Sequence, residues 1–93
     1  MMEGRVAVVT GAGSGIGQAI ATTFASQGAR VYVLELNEDA GAEAAASIRK
    51  SGGVADVVEC DVSSAASVAA AFERVYAGAG RIDILVNNAG IAH

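Results

Sequence analysis

The apolar residues of this 93-residue chain fall into two kinds of segment that alternate along the sequence. Short unbroken apolar runs, rich in β-branched residues, predict strands, whereas longer stretches with apolar residues three or four positions apart predict helices. Four strands are expected, at residues 6–10, 30–36, 55–59 and 82–87. Three helices are expected between them, at residues 16–27, at residues 38–51, and from Ser63 or Ser64 to a stop at Gly78 and Gly80. The predicted order of the elements is therefore β-α-β-α-β-α-β.

Residues at the helix ends support these boundaries. Asn37 is a suitable N-cap for the second helix, and Lys50 places a positive charge in its last turn, where the helix dipole favours one. Gly28 just past the first helix and the Gly52–Gly53 pair after the second are typical C-terminal signals. On the first helix, Ile16, Ile20 and Phe24 share one face.

The strands are continuous apolar runs rather than alternating ones, which indicates that helices cover both faces of the sheet. Right-handed crossovers between parallel strands give the spatial order 3-2-1-4. We therefore predict an α/β fold, a partial doubly wound parallel sheet of the Rossmann type, formed by residues 1–93 as one domain. The fourth strand would lie at an edge and is strongly apolar, which predicts either more sheet beyond it or pairing with another chain.

Composition narrows the class of protein. The chain is 53% hydrophobic and 17% charged, as expected of a globular domain. Its net charge is −4 and its six basic residues are scattered, which argues against nucleic-acid binding. No apolar run approaches the roughly 20 residues of a membrane span, and no secretory signal opens the chain, so we expect a cytoplasmic protein. Cys60 is the only cysteine and His93 the only histidine, so we expect neither a disulfide nor a Cys/His metal cluster, and Cys60 is interpreted as a small buried residue.

Four glycines follow the first predicted strand and precede the first helix. Gly11 allows a sharp exit from the strand, Gly13 and Gly15 would let a pyrophosphate approach the backbone, and Gly17 would allow close packing of the helix. Amides at a helix N-terminus favour an anion. The spacing departs from G-x-G-x-x-G, because Ile16 and Gln18 occupy the positions where that pattern needs glycine, so a flexible turn of an ordinary α/β protein is the alternative.

Glu35 lies near the end of the second predicted strand, where an acid in a dinucleotide fold accepts hydrogen bonds from the adenosine ribose. The same carboxylate repels a 2′-phosphate, and no basic residue stands at positions 12–14 or 36, which predicts NAD over NADP. The alternative is a solvated acid at a strand end.

Two further segments follow the ends of strands. Asp61 could accept the adenine amino group while Val62 covers the ring, or Asp61 could instead help to cap the third helix. The run Asn87-Asn88-Ala89-Gly90 ends the fourth strand, where small residues permit close approach of a ligand, although it could also be an ordinary turn.

The segments 10–17, Asp61-Val62 and 87–90 together resemble the N-terminal part of the short-chain dehydrogenase/reductase family, from about Gly4 to Ile91. The resemblance implies an NAD(P)-dependent oxidoreductase that acts on an alcohol or carbonyl substrate, and Glu35 narrows the expected cofactor to NAD(H). It also assigns roles within the cofactor site: Ser14, Gly15, Ile16 and Gly17 at the pyrophosphate, Glu35 at the ribose, Asp61 and Val62 at the adenine, and Asn88, Ala89 and Gly90 at the nicotinamide-side ribose. By the same resemblance, Asn87 ties neighbouring strands together.

The family's catalytic residues cannot be placed on this chain. They are a serine and a Tyr-x-x-x-Lys pair, whereas Tyr32 and Tyr76 are followed four positions later by Leu36 and Gly80. No catalytic residue is therefore predicted, and the 93-residue chain alone is expected to be inactive. Two other hypotheses remain open: a non-catalytic nucleotide-binding module, and a fragment that associates through its fourth strand.

Overall fold

The structure is a computed structural model that describes residues 1–12 and 15–88. The strands are β1 (Val6–Thr10), β2 (Arg30–Glu35), β3 (Val54–Glu59) and β4 (Ile84–Asn87). The helices are α1 (Gly15–Ser26), α2 (Glu38–Lys50) and α3 (Ala65–Ala79). The predicted order of elements is confirmed.

The four strands form one parallel sheet in the order β3-β2-β1-β4. The order predicted from right-handed crossovers is confirmed. It places β1 in the centre and β4 at one edge of the sheet in the described part of the chain. The carboxyl ends of parallel strands all lie on the same side of a sheet. The segments that follow β1, β2 and β3 therefore lie together along the carboxyl edge of this sheet.

Two apolar clusters cover the two faces of the sheet, so the expectation of burial on both sides is confirmed. In β1, Ala7 and Val9 face α1 and α2, whereas Val6 and Val8 face α3. All five residues of β1 are buried. This alternation explains why the strand is apolar throughout: each successive side chain enters a different core.

The buried face of α1 differs from the one that the large apolar residues suggest. Gly17, Ala21 and Ala25 are its buried residues, and their small side chains let the helix lie close to the sheet. Ile16 is 68% exposed, and with Ile20 and Phe24 it borders an open hollow beside Val86 of β4. The helical period was predicted correctly, but the fully buried residues of α1 are its smallest ones, and of the large residues Phe24 is partly buried against the same core.

Two boundaries differ from the prediction for identifiable reasons. Gly78 was expected to stop α3 but lies within it, and the left-handed C-cap is Gly80, with φ of 77°. The fourth strand was expected from residue 82 but begins at Ile84, because the side chain of Asp83 accepts the Val6 amide at 2.8 Å. That contact takes a backbone donor that strand pairing would otherwise use.

The predicted N-cap of α2 is confirmed, because the Asn37 side chain accepts a hydrogen bond from the Ala40 amide at 3.1 Å. Of the two candidates for α3, Ser64 is the N-cap. None of the helices in the described part of the chain combines the length and apolar character that a membrane span requires.

Candidate functional site

The turn after β1 has the backbone geometry that its glycines permit. Gly11 has φ of 65° and Gly15, the first residue of α1, has φ of 35°, both in the region that favours glycine. The Gly11 amide donates to the Leu34 carbonyl at 3.0 Å, so the turn is fastened to β2 as it leaves β1. Gly13 and Ser14, predicted at the pyrophosphate, lie outside the described residues.

Gly17 packs against this turn so closely that a residue with a side chain would clash with it. A Cβ added to Gly17 would overlap the carbonyl oxygen of Gly11 and lie 2.6 Å from Nδ2 of Asn88. The close packing predicted for Gly17 is therefore present, but its partners are the turn and the end of β4 rather than the side chains of the sheet.

Two hydrogen bonds join the carboxyl ends of β1 and β4. The Thr10 hydroxyl donates to Oδ1 of Asn87 at 2.9 Å, and Nδ2 of Asn88 donates to the Gly11 carbonyl at 3.2 Å. The tie expected of Asn87 is confirmed. Asn88 is only 6% exposed, and its amide holds the glycine turn in place. Ala89 and Gly90, predicted with Asn88 at the nicotinamide-side ribose, lie outside the described residues.

Glu35 stands half-buried at the carboxyl end of β2, as predicted. Its Oε1 accepts a hydrogen bond from the Asn37 amide at 3.3 Å, at the start of α2. Leu36, which follows, is 59% exposed.

Asp61 organises the loop between β3 and α3. Its Oδ1 accepts hydrogen bonds from the Ser63 hydroxyl at 2.6 Å and the Ser63 amide at 2.9 Å. These two bonds hold the pKa of Asp61 below its usual value, the hydroxyl contributing most. The Asp61 amide donates to the Ser67 hydroxyl at 2.9 Å, so the loop is fastened to the first turn of α3. The role in ordering the entry to α3 is thus seen, although Ser64 is the cap.

One cleft brings several of the predicted residues together. It measures about 80 Å³ and lies at the carboxyl edge of the sheet, lined by Gly11, Leu34, Glu35, Leu36, Cys60, Asp61 and Val62. The carboxylates of Glu35 and Asp61 stand there beside the apolar side chains of Leu34, Leu36 and Val62. Gly15, Ile16, Gly17 and Asn88 are not among its lining residues.

Sequence reasoning missed three of the residues that line this cleft. Leu34 was expected only as part of the second strand, and Cys60 as a small buried residue near a strand end; Cys60 is buried as expected, yet it also reaches the cleft. Leu36 was considered only as a position without positive charge. Their proximity to strand ends was the available signal. The described part of the chain holds no group of three or more His, Cys, Asp and Glu residues arranged for a metal ion.

The parallel sheet, the glycine turn leading into α1, and the acid at the end of β2 define a Rossmann-type nucleotide-binding fold. A family model described as short chain dehydrogenase matches residues 5–93. The chain belongs to the short-chain dehydrogenase family, and the resemblance drawn from its motifs is confirmed.

Known proteins similar to this chain agree with that family. The D-threitol dehydrogenase of Mycolicibacterium smegmatis is 50% identical over 91 residues, covering 98% of this chain and 35% of that protein. The crystal structure of a hydroxysteroid dehydrogenase from Escherichia coli has a TM-score of 0.90 at 41% identity, covering 92% of this chain and 37% of that one. A metagenomic short-chain oxidoreductase in complex with NADP has a TM-score of 0.87 at 40% identity, covering 90% of this chain and 38% of that one. The chain thus spans little more than a third of the length of these proteins.

Proposed function

We propose that residues 1–93 form the cofactor-binding part of an NAD-dependent short-chain oxidoreductase. The protein would transfer a hydride between an alcohol or carbonyl substrate and NAD. The observation that carries this proposal is the position of Glu35, whose carboxylate stands at the carboxyl end of β2 in a cleft that also reaches Gly11 and Asp61. A carboxylate at this place accepts hydrogen bonds from ribose hydroxyls.

The surroundings of Gly15 support a pyrophosphate site at the start of α1. Apart from its chain neighbours and the backbone of its own helix, no described residue has a heavy atom within 4 Å of a Cβ added to Gly15. Amides at this end of the helix would bind the anion, aided by the helix dipole. In this proposal Ser14, Gly15, Ile16 and Gly17 hold the pyrophosphate.

The remaining contacts follow the edge of the sheet. Glu35 would bind the adenosine ribose, Asp61 and Val62 would bind the adenine, and Asn88, Ala89 and Gly90 would lie beside the nicotinamide-side ribose. The bound nicotinamide supplies the hydride chemistry, whereas these residues bind and orient the cofactor.

Proton transfer would need groups that this chain does not supply. Tyr32 is only 4% exposed, in the core between the sheet and α3, and Tyr76 lies on the outer surface of α3. Neither is followed by a lysine four positions later. We therefore propose that the 93-residue chain binds cofactor without catalysing the reaction, because general acid–base help is typically worth about 10²–10⁴-fold in rate.

A fluorescence titration with NADH tests cofactor binding. If only part of the site is present, we expect a Kd of about 10⁻⁴ M or weaker, roughly −5.5 kcal/mol or less favourable. Gly15→Val should abolish binding by filling the space above α1. Gly4→Val is the matched control, since Gly4 also has a positive φ, of 79°, and open space around it. Equal affinity of the Gly15 variant and the unsubstituted chain would contradict the proposal.

The choice of NAD rests on Glu35 and needs its own test, since the metagenomic relative was crystallised with NADP. Glu35→Ala should lower the preference for NADH over NADPH about 10-fold or more, because a hydrogen bond to a charged group is worth about 1.5–3 kcal/mol. Glu43→Ala, which removes the same charge from the exposed side of α2, should leave the preference unchanged. Tighter binding of NADPH by the unsubstituted chain would refute the assignment.

The open edge of β4 favours a second candidate function, association with another copy of the chain. Leu85 is 52% exposed on this edge. Apolar hollows flank β4 on both faces, one of about 250 Å³ beside Leu85 and one of about 460 Å³ beside Val86. Sedimentation velocity at rising concentration tests this idea, and Leu85→Lys should reduce association. A monomer at every concentration would exclude it.

A further inference from the structure

Gly41 occupies an unusual place for a glycine. It lies in the first full turn of α2 and is buried, although glycine is among the least favourable residues inside a helix. A Cβ added there would lie 3.0 Å from Cγ1 of Val57 and 3.2 Å from Cβ of Glu35. The missing side chain therefore lets α2 approach β2 and β3 more closely than an alanine would without a shift.

This close approach is linked to both ends of the Glu35 side chain. Gly41 lies against the stem, since the added Cβ would also be 3.6 Å from Cγ of Glu35. The Gly41 amide donates to the Asn37 carbonyl at 3.0 Å, and the Asn37 amide donates to Oε1 of Glu35 at 3.3 Å. A shift of α2 away from the sheet would thus remove the packing against the stem of Glu35 and displace the donor that orients its carboxylate.

The start of α2 is also unfavourable for binding a 2′-phosphate. The positive end of a helix dipole attracts anions, but the Asn37 amide is occupied by Glu35 and the Ala40 amide by the Asn37 side chain. Glu38 and Asp39 add two negative charges to the same turn. A ribose hydroxyl can donate to Glu35 here, whereas a 2′-phosphate would meet carboxylates and amides that already have acceptors.

We propose that Gly41 is a positioning residue for cofactor selection. By allowing α2 to lie against β2, it holds the Glu35 carboxylate in the orientation that accepts an unmodified ribose and excludes a 2′-phosphate. This inference rests on the proposed function, since it requires that Glu35 faces the ribose.

The test is the ratio of the Kd for NADPH to the Kd for NADH, measured by fluorescence titration of the 93-residue chain. Gly41→Ala should lower this ratio at least threefold, because the carboxylate loses its fixed orientation. The ratio is the informative readout, since a purely structural loss would weaken both cofactors alike.

Two control variants separate positioning from damage to a helix. Gly78→Ala crowds another helical glycine, whose added Cβ would lie 2.8 Å from the Tyr32 hydroxyl, in α3 rather than α2. Ala46→Gly weakens α2 itself at an exposed position. Both should lower the thermal midpoint and leave the ratio within twofold of the unsubstituted chain.

A second pair of variants tests whether the orientation of the Glu35 carboxylate sets the cofactor preference if Gly41→Ala does not fold. Asn37 has φ of −82°, which proline can adopt. Asn37→Pro and Asn37→Ala both lose the capping side chain, but only the proline variant loses the amide that holds Glu35. The ratio should therefore fall at least threefold further in the proline variant.

The outcomes distinguish this inference from the proposed function. If Glu35→Gln abolishes the preference for NADH while a folded Gly41→Ala keeps it, Gly41 has no positioning role and the proposed function stands. Where Gly41→Ala does not fold, the same conclusion follows if Asn37→Pro keeps the preference. If the unsubstituted chain shows no preference for NADH, or if Glu35→Gln leaves that preference intact, the proposed function fails and this inference fails with it.

Discussion

Gly17→Ala tests whether the turn after β1 depends on its contact with α1 and Asn88. The added methyl group would overlap the Gly11 carbonyl oxygen and lie 2.6 Å from Nδ2 of Asn88. Because one of these atoms belongs to the backbone, rotation of a side chain cannot relieve the crowding. Either α1 moves away from the turn or Asn88 gives up its 3.2 Å hydrogen bond to Gly11.

Two costs and one smaller gain set the magnitude of the loss in stability. Overpacking costs about 1–3 kcal/mol, and a buried amide that loses its partner costs about 1–3 kcal/mol more. Alanine recovers about 1 kcal/mol through its higher helix propensity. We expect the free energy of unfolding to fall by about 1–5 kcal/mol, which with a urea dependence of about 2 kcal/mol/M lowers the midpoint by roughly 0.5–2.5 M.

Urea unfolding of Gly17→Ala, Asn88→Ala and the double variant provides the assay. The two single losses should not add, because both disrupt the same contact, and the coupling energy should be about 0.5–3 kcal/mol. A loss below about 0.5 kcal/mol for Gly17→Ala, or strict additivity, would show that the turn does not rely on this contact.

Two further predictions concern capping and pH. Ser64→Ala should lower the free energy of unfolding by about 0.5–2 kcal/mol, because it removes the acceptor for the Ser67 amide. Ser64→Asp keeps an acceptor and should retain most of the stability. Equal urea midpoints for the two variants would contradict the capping role of Ser64. Asp83 has a pKa below its usual value, chiefly through its hydrogen bond with Arg81 and then through the Val6 amide. The stability that it contributes is therefore present above the unfolded-state pKa, about 3.9, and is lost as the pH falls through the lower pKa of the folded state. Asp83→Asn should make the urea midpoint less sensitive to a change from pH 6 to pH 3, and an unchanged sensitivity would refute the assignment.

Local pattern was sufficient to predict the order and direction of the elements. Continuous apolar runs such as Val6–Thr10 require burial on both faces, and the handedness of the crossovers leaves one simple strand order. Long-range side-chain contacts were not predictable in the same way. The hydrogen bond that the Val6 amide donates to Asp83 shortens β4. The hydroxyl of Tyr32 lies where a side chain at Gly78 would extend, so this glycine serves close packing inside α3 rather than ending the helix.

The candidate site was predictable to the extent that strand ends define it. Glu35 and Asp61 follow adjacent parallel strands, so their common cleft is a consequence of topology. The contact of Asn88 with Gly11 and the fit of Gly41 against Glu35 depend on distances between elements, which a periodic pattern does not contain. These contacts become visible only once the helices are placed on the sheet.

The hydrogen bond from Asn88 to Gly11 connects the exit of β4 to the turn that faces the proposed pyrophosphate. A ligand that immobilises the turn would reduce the opening of β4, since the two segments separate only when this bond breaks. Amide hydrogen exchange at Leu85 should consequently slow when a dinucleotide binds. The opening of β4 and the affinity for the cofactor thus both depend on the stability of the contact between Asn88 and Gly11.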